Sequence, residues 1–510
     1  MKAMFRRFGV VLAALAWLVA LPQLASAQGV DIVARGLAAQ ANASLPGSRV
    51  KTFQIPAGLG WDSINYPVTI SARQQADGQW VGAANKGLRD FFPPFTAWPK
   101  YWLNAATGSN SNDCSTEALA CKSLWKPLQL AAAASQTQIQ VWSKGGPTAI
   151  YDRNNTFTLN GTVTTVTGIS VGYVSYGGLG CSTATARQPA LTWSGSGSNS
   201  FVATLSSTVT RLQDMLAKDR FGNDVEMIKL STAAAVDATP DSWAQVSGSI
   251  YVHRRDGATP TTTNTRILVG IKNLYVDGTT QINVGLFADT PADCWVVEGG
   301  DAAGFRTNFT GGAGGAKVVI GAENTSFVYS GAASGSIGAF AAEGVNGLVF
   351  CSNCYAGSSG PDAFNVHNAL GATTNVLMIN PVSYETGKIA VYVSTNWLTT
   401  HDSNVASIFV CGKGRGSRGV TAHFIQFTKT FMACPDAADS LGDVMNGGGN
   451  LPTEIKAEDN AELWIDTGTI RPGASNGYGY VAAGAAKIHF RDTPLFGSGV
   501  IQGTATVDAY

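Results

Sequence analysis

Apolar residues in this chain fall in short runs, and segments rich in Gly, Asn, Ser and Thr separate them. QIQVWS (138–143), GISVGYVSY (168–176), SIYVHR (249–254), ILVGIKNLYV (267–276), KVVIG (317–321), NVLMI (375–379), ASIFV (406–410), VTAHFIQF (420–427), ELWIDTG (462–468) and KIHFRD (487–492) are of this kind. Runs of this length, rich in β-branched and aromatic residues, predict strands. Helical periodicity is confined to LWKPLQLAAAAS (124–135) and, more weakly, TRLQDMLAKD (210–219). The chain is therefore expected to be all-β.

Strands of this kind form either hairpin-built sandwiches and barrels or a solenoid in which each strand stacks on its equivalent one coil later. AFNVH (363–367), IAVYV (389–393) and VTAHF (420–424) recur at intervals of 26 and 31 residues. These intervals lie in the range of roughly 20 to 50 residues typical of stacked repeats, so the solenoid is favoured. Irregular insertions between coils then become loops on one face.

YWLNAATGSNSNDCSTEALACKSLWKPLQLAAA (101–133) resembles the entry segment of pectate-lyase-like right-handed parallel β-helix proteins. There an aromatic strand, a Gly-Ser-Asx-Asn turn and a short capping helix seal the first coil. The resemblance implies a right-handed parallel β-helix over 99–510 with an N-terminal capping helix. Cys114 and Cys121 depart from the family pattern, standing where the turn often has Gly and near the usual Pro. Residues 28–98, with IPAGLGWDSINYPVTISA and DFFPPFTAW, read as a small β-rich extension ahead of the cap, and GSGVIQGTATVDAY as the cover of the last coil. Fold-level likeness assigns no chemistry without a site.

The N-terminus alters the cellular picture. Lys2, Arg6 and Arg7 precede an apolar run that ends in Ala25-Ser26-Ala27. This is the layout of a secretory signal peptide of bacterial type, cleaved after Ala27, so a secreted or periplasmic product is expected. No later stretch has the roughly 18 uninterrupted apolar residues of a membrane-spanning helix. Eight cysteines follow the leader, an even number in an exported chain, which favours disulfides. Cys114 and Cys121 are expected to close a small loop; Cys351-x-x-Cys354 lacks the second pair or added histidines of a zinc site. The other pairings stay open.

With 34 acidic and 34 basic residues the net charge is zero, which leaves no footprint for nucleic acid or an anionic membrane. An acidic polymer would need a local basic patch. Against this sparse background GPDAFNVHNALG (360–371) gathers Asp362, Asn365, His367 and Asn368, and TTHDSN adds His401 and Asp402, in a chain with five histidines. Asp362 and His367 stand roughly 16 Å apart along an extended strand, so the useful neighbours lie across coils, about 4.8 Å away. The repeat alignment sets Asp362 beside Lys388, with Glu385, Arg415 and Arg418 in adjoining turns and Asn396, His401 and Asp402 in the loop after the next strand.

Imidazole titrates near neutrality and a carboxylate orients it, which suits His367, His401 and Asp402 to proton transfer. GKGRGSRG (412–419) suits an acidic sugar, with Arg415 or Arg418 holding a carboxylate in bidentate fashion and Lys413 adding a point charge. Together they point to β-elimination in a uronate-containing polysaccharide: His367 or His401 as base, Arg415 as charge stabiliser, and Asp362, Asn365, Glu385, Asn396, Lys413 and Arg418 as substrate contacts. Each also has a structural reading. His367 would end a strand with a satisfied hydrogen bond, Asp362 would turn the chain after Pro361, Asn365 would join an inter-coil asparagine ladder, and the basic segment would be a solvated loop. Glu385 would cap a turn or bind calcium; no other metal or cofactor is indicated.

Two other functions compete. Asp362, Glu385 and Asp402 are sufficient in kind for a glycoside hydrolase, although the paired-aspartate signature of the polygalacturonase branch is absent. A carbohydrate-binding or tailspike-like surface protein, monomeric or trimeric, would instead use Trp295, Tyr355, Tyr392 and Trp397 as stacking faces.

Overall fold

A computed structural model describes residues 49–151, 158–159, 162–163, 168–271, 273–300, 303–310, 316–331, 338–360, 362–368, 371–384, 398–401, 404–417, 419–440, 452–473, 477–495 and 497–510. The expected leader, residues 1–27, lies outside them. The described strands assemble into three long parallel sheets, one of twelve strands and two of nine, in which each strand pairs with the strand one coil later. That is a parallel β-helix. Among the described residues no helix is long and apolar enough to cross a membrane.

The first sheet runs from Lys100–Leu103 to Thr506–Ala509, and its middle strands are apolar on both faces, hence their unbroken hydrophobic runs. Its inward column Cys351, Met378, Phe409, Met432 and Ile465 belongs to the solenoid core. Its outward column Phe350, Leu377, Ile408, Phe431 and Trp464 is covered by the N-terminal unit, the antiparallel strands Val50–Phe53, Ile70–Gln74 and Trp80–Ala84 with the helix Leu88–Phe91. Phe95 stacks on Phe287 at 4.7 Å, and Gly172 is bare because Phe95 lies against it. The helix Trp125–Ala133 forms as expected and buries Leu128 and Ala131 against the first coil.

Chain between Cys181–Thr185 and Leu274–Gly278 leaves the coil and folds as antiparallel sheets over the second parallel sheet. The segment 210–219 is not helical: Val209–Lys218 is a strand held between Asp224–Glu226 and Thr265–Val269. Pairing on both edges, with Leu212 in the insertion core and Arg211 salt-bridged to Glu226, overrides the weak helical period. The run 267–276 divides accordingly, its first half closing the insertion and its second half opening the third sheet.

Disulfides join Cys114–Cys121, Cys181–Cys294, Cys351–Cys354 and Cys411–Cys434. Cys181 and Cys294 are register partners on adjacent strands, and Cys411–Cys434 joins consecutive corners. The corner between the first and second sheets uses left-handed residues coil after coil: Asn324, Asn353, Asn380, Cys411, Cys434 and Thr467. Its asparagines form the ladder, Asn353 Nδ2 donating to Asn324 and Asn380 Nδ2 to Asn353. Asn365 is not a rung of it.

Candidate functional site

The third sheet is built differently. Its strands Leu274–Gly278, Ala303–Phe309, Gly338–Glu343, Phe364–His367, Leu398–His401, Val420–Phe424 and Thr453–Ala457 follow one another in register. Inward positions are apolar apart from the buried Thr307 and Thr400, with Phe305 and Phe340 stacked at 5.1 Å in the core. The intervening positions are polar for the most part. One outward column reads Tyr275, Arg306, Ala341 and Asn365 and, past the backbone register position of Thr399, His423 and Lys456. Beside it run Asp277, Asn308, Glu343 and His367, and the backbone of His401 takes the next register position. The apolar clusters that join the N-terminal unit and the insertion to the solenoid include none of these residues.

His367 and His401 are register partners on consecutive coils, about 4.8 Å apart at the backbone. This corrects the spacing alignment. Phe364 pairs with Leu398 and Leu398 with Ala422, so Leu398–His401, not 389–393, supplies the rung, and His401 ends a strand instead of sitting in a loop. Packing of the apolar face into the core sets that register, and loops whose length varies from coil to coil absorb the difference.

The carboxylates of this face are engaged. Arg306 Nη2 donates to Glu343 Oε2 at 2.7 Å, and its guanidinium lies 5.4 Å from the Tyr275 ring centre. Asn308 Nδ2 donates to Asp277 at 3.0 Å and Asn365 Nδ2 to Asp362 at 2.6 Å. His423 Nε2 is 2.7 Å from Glu458, which also pairs with Lys456 at 2.8 Å. The His423 hydrogen bond, with Lys456 adding to it against the effect of burial, holds the Glu458 carboxyl down at about 2. Glu454 accepts from Thr421 Oγ1 at 2.5 Å and from the Ser440 amide at 3.0 Å, yet burial pushes its carboxyl up to about 7.

Two expected cations stand on another sheet. Arg415 and Lys413 form the strand Lys413–Arg415 of the second sheet. Arg415 is salt-bridged to Asp436 and donates to its carbonyl at 2.9 Å, and Lys413 Nζ donates to Gln79 of the N-terminal unit at 2.6 Å. Backbone pairing with Val382–Tyr384 and Asp436–Ala438 turns the expected basic loop into a strand. Asp402, Glu385, Asn396, Arg418 and Lys388 lie outside the described residues, as do Trp397 and Tyr392. Trp295 is core and Tyr355 is buried, its hydroxyl on Asn223 at 2.7 Å, so neither offers a stacking face. Among the described residues no His, Cys, Asp or Glu cluster is arranged to hold a metal ion.

Sequence reasoning missed Asp277, Arg306, Asn308, Glu343 and the partnership of His423 with Glu458. Its signal is a strand-end triplet with polar first and third members: Tyr275-Val276-Asp277, Arg306-Thr307-Asn308, Asn365-Val366-His367 and Thr399-Thr400-His401, with Ala341-Ala342-Glu343 polar only at its third.

No protein-family model and no curated protein sequence matches the chain. Among solved structures, one described as a glycoside hydrolase is similar at 8% identity and a TM-score of 0.37, over 80% of this chain and 96% of that one. Pectate lyase Pel9A is similar at 9% identity and a TM-score of 0.31, over 82% of this chain and 79% of that one.

Proposed function

We propose that the protein is an exported enzyme that degrades polysaccharide along the outer face of the third sheet, cleaving a uronate-containing chain by β-elimination. The observation that carries this reading is the register of His367 on His401, with His423 one coil further in the adjacent column. A neutral imidazole takes the C5 proton of the uronate, and a protonated one gives a proton to the departing glycosidic oxygen. Lys456, further along the same face, is the cation best placed to offset the uronate carboxylate. Both cations are ion-paired, Lys456 to Glu458 and Arg415 to Asp436, and Arg415 is the weaker candidate because it stands on the second sheet. The leader and four disulfides agree with export.

Hydrolysis is the second reading, favoured by Asp277 and Glu343 in one column with Asn308 between them. Two coil steps put their backbones about 9.6 Å apart, near the roughly 6.5–9.5 Å that inverting glycosidases leave between carboxyl groups. An acidic-polysaccharide panel separates the readings. Ultraviolet absorbance from unsaturated uronyl ends supports elimination, new reducing ends without absorbance support hydrolysis, and retention without cleavage supports a binding protein. His367→Ala and His401→Ala are each expected to lower turnover by about 10²-fold or more at an unchanged melting temperature. Full activity in both variants would remove the histidines from the mechanism.

A further inference from the structure

Upstream of the histidines the same face changes character. Arg306 and Asn365 flank Ala341 in one column, and Glu343 stands beside them next to His367. Half of each polar group is fixed, Arg306 to Glu343 and Asn365 to Asp362. The other half is not. Arg306 Nε, Glu343 Oε1 and Asn365 Oδ1 are buried side-chain atoms without a hydrogen-bond partner among the described residues, and Asn365 as a whole is only 4% exposed. Folded proteins leave few buried polar atoms unmet, so three on neighbouring strand positions ask for a missing partner.

Their chemistry states what that partner must bring: one acceptor for the Nε–H and two donors for the carboxylate and amide oxygens. Hydroxyls of an uncharged sugar ring supply both, since each donates once and accepts twice. A uronate ring carries hydroxyls too, but its carboxylate supplies acceptors alone and adds a negative charge beside the carboxylates of Glu343 and Asp362. The histidine end carries Lys456 and imidazoles able to take a charge; the Ala341 end carries acceptors in excess.

On the proposed lyase reading, we infer that Arg306, Glu343 and Asn365 form a subsite for a neutral sugar, so the substrate is a heteropolysaccharide in which an uncharged residue neighbours the uronate at the cleaved bond. Initial rates on an alternating uronate–neutral sugar polymer and on a homopolyuronate of similar length test this. The alternating chain should have the higher kcat/KM, by at least about tenfold. Glu343→Gln, which removes the charge and adds a donor, should bring the ratio towards one at an unchanged melting temperature. Asn365→Ala should lower the rate on the alternating chain alone, and it serves if the first variant does not fold. Equal or better cleavage of the homopolyuronate, or a ratio that neither folded variant moves, overturns the subsite. If neither polymer yields unsaturated ends the lyase reading falls, and affinity gels containing each polymer decide the subsite. Retardation by the alternating chain that Asn365→Ala abolishes sustains it; equal mobility in both gels overturns it.

Discussion

Glu298 ends the strand Cys294–Glu298 of the second sheet and is 2% exposed. It accepts from Arg187 at 2.7 and 3.0 Å, where the chain departs for the insertion, and from Thr185 Oγ1 at 2.5 Å. Arg266, on the strand by which the insertion returns, brings its Nε to 2.6 Å. One carboxylate thus clamps both ends of the inserted unit. Burial alone would raise its pKa, but the two guanidinium groups and the Thr185 hydroxyl bring it from an ordinary 4.5 down to about 2. A depression of that size is worth about 3 kcal/mol of stability, and removing one partner of a buried ion pair costs a similar 3–5 kcal/mol.

Because the folded pKa is lowered, this stabilisation is complete above the ordinary value and is lost as pH falls through the folded one; near pH 3 about 1 kcal/mol remains. Glu298→Gln keeps the shape and removes the charge. Amide hydrogen exchange over residues 187–269 is the assay, since it reads opening of the inserted unit separately from the coils. Around pH 7 the variant should open on the order of 10² times more often than the parent, and the gap should narrow to roughly tenfold near pH 3. Equal protection at neutral pH, or a gap that does not narrow in acid, would refute the clamp.

Glu454 predicts the opposite sign. Its carboxyl is raised from 4.5 to about 7, so the penalty of ionising it in the fold grows as pH rises through that interval. Glu454→Gln should match the parent near pH 4 and exceed it by about 3 kcal/mol in guanidinium unfolding near pH 8; a constant difference would contradict the assignment. Replacing Cys411 and Cys434 by serine removes a link between residues 23 apart. The double variant should lose roughly 3 kcal/mol, read as a lower guanidinium midpoint, whereas an unchanged midpoint would mean that coil stacking alone fixes that corner.

Much of the coil was legible locally. The apolar runs mark the first-sheet strands, and the capping helix stands where its periodicity and the aromatic strand before it place it. The insertion was not legible, because its strands carry the same alternation as those of the coil and only their pairing, antiparallel in all but one case, separates them. In the candidate site, scarcity and local company singled out His367 and His401 in the sequence, and nothing local singled out their neighbours. Arg306 lies 61 residues before His367 and Glu343 lies 24 before it, in strands whose polar positions look like any solvated face.

Chain-local chemistry by itself determined that the protein is all-β, that its strands stack as coils, and that His367 belongs to a sparse polar cluster. Only the tertiary structure decided which side chains share a column. Side chains alternate with a period of two, so a slip of one residue between coils exchanges the inner and outer faces. Setting 363–367 directly over 420–424 would place Phe364 on Thr421, whereas the coil stacks it, through Leu398, on Ala422. Loops of unequal length absorb that single-residue difference, and the packing of the apolar face into the core fixes it.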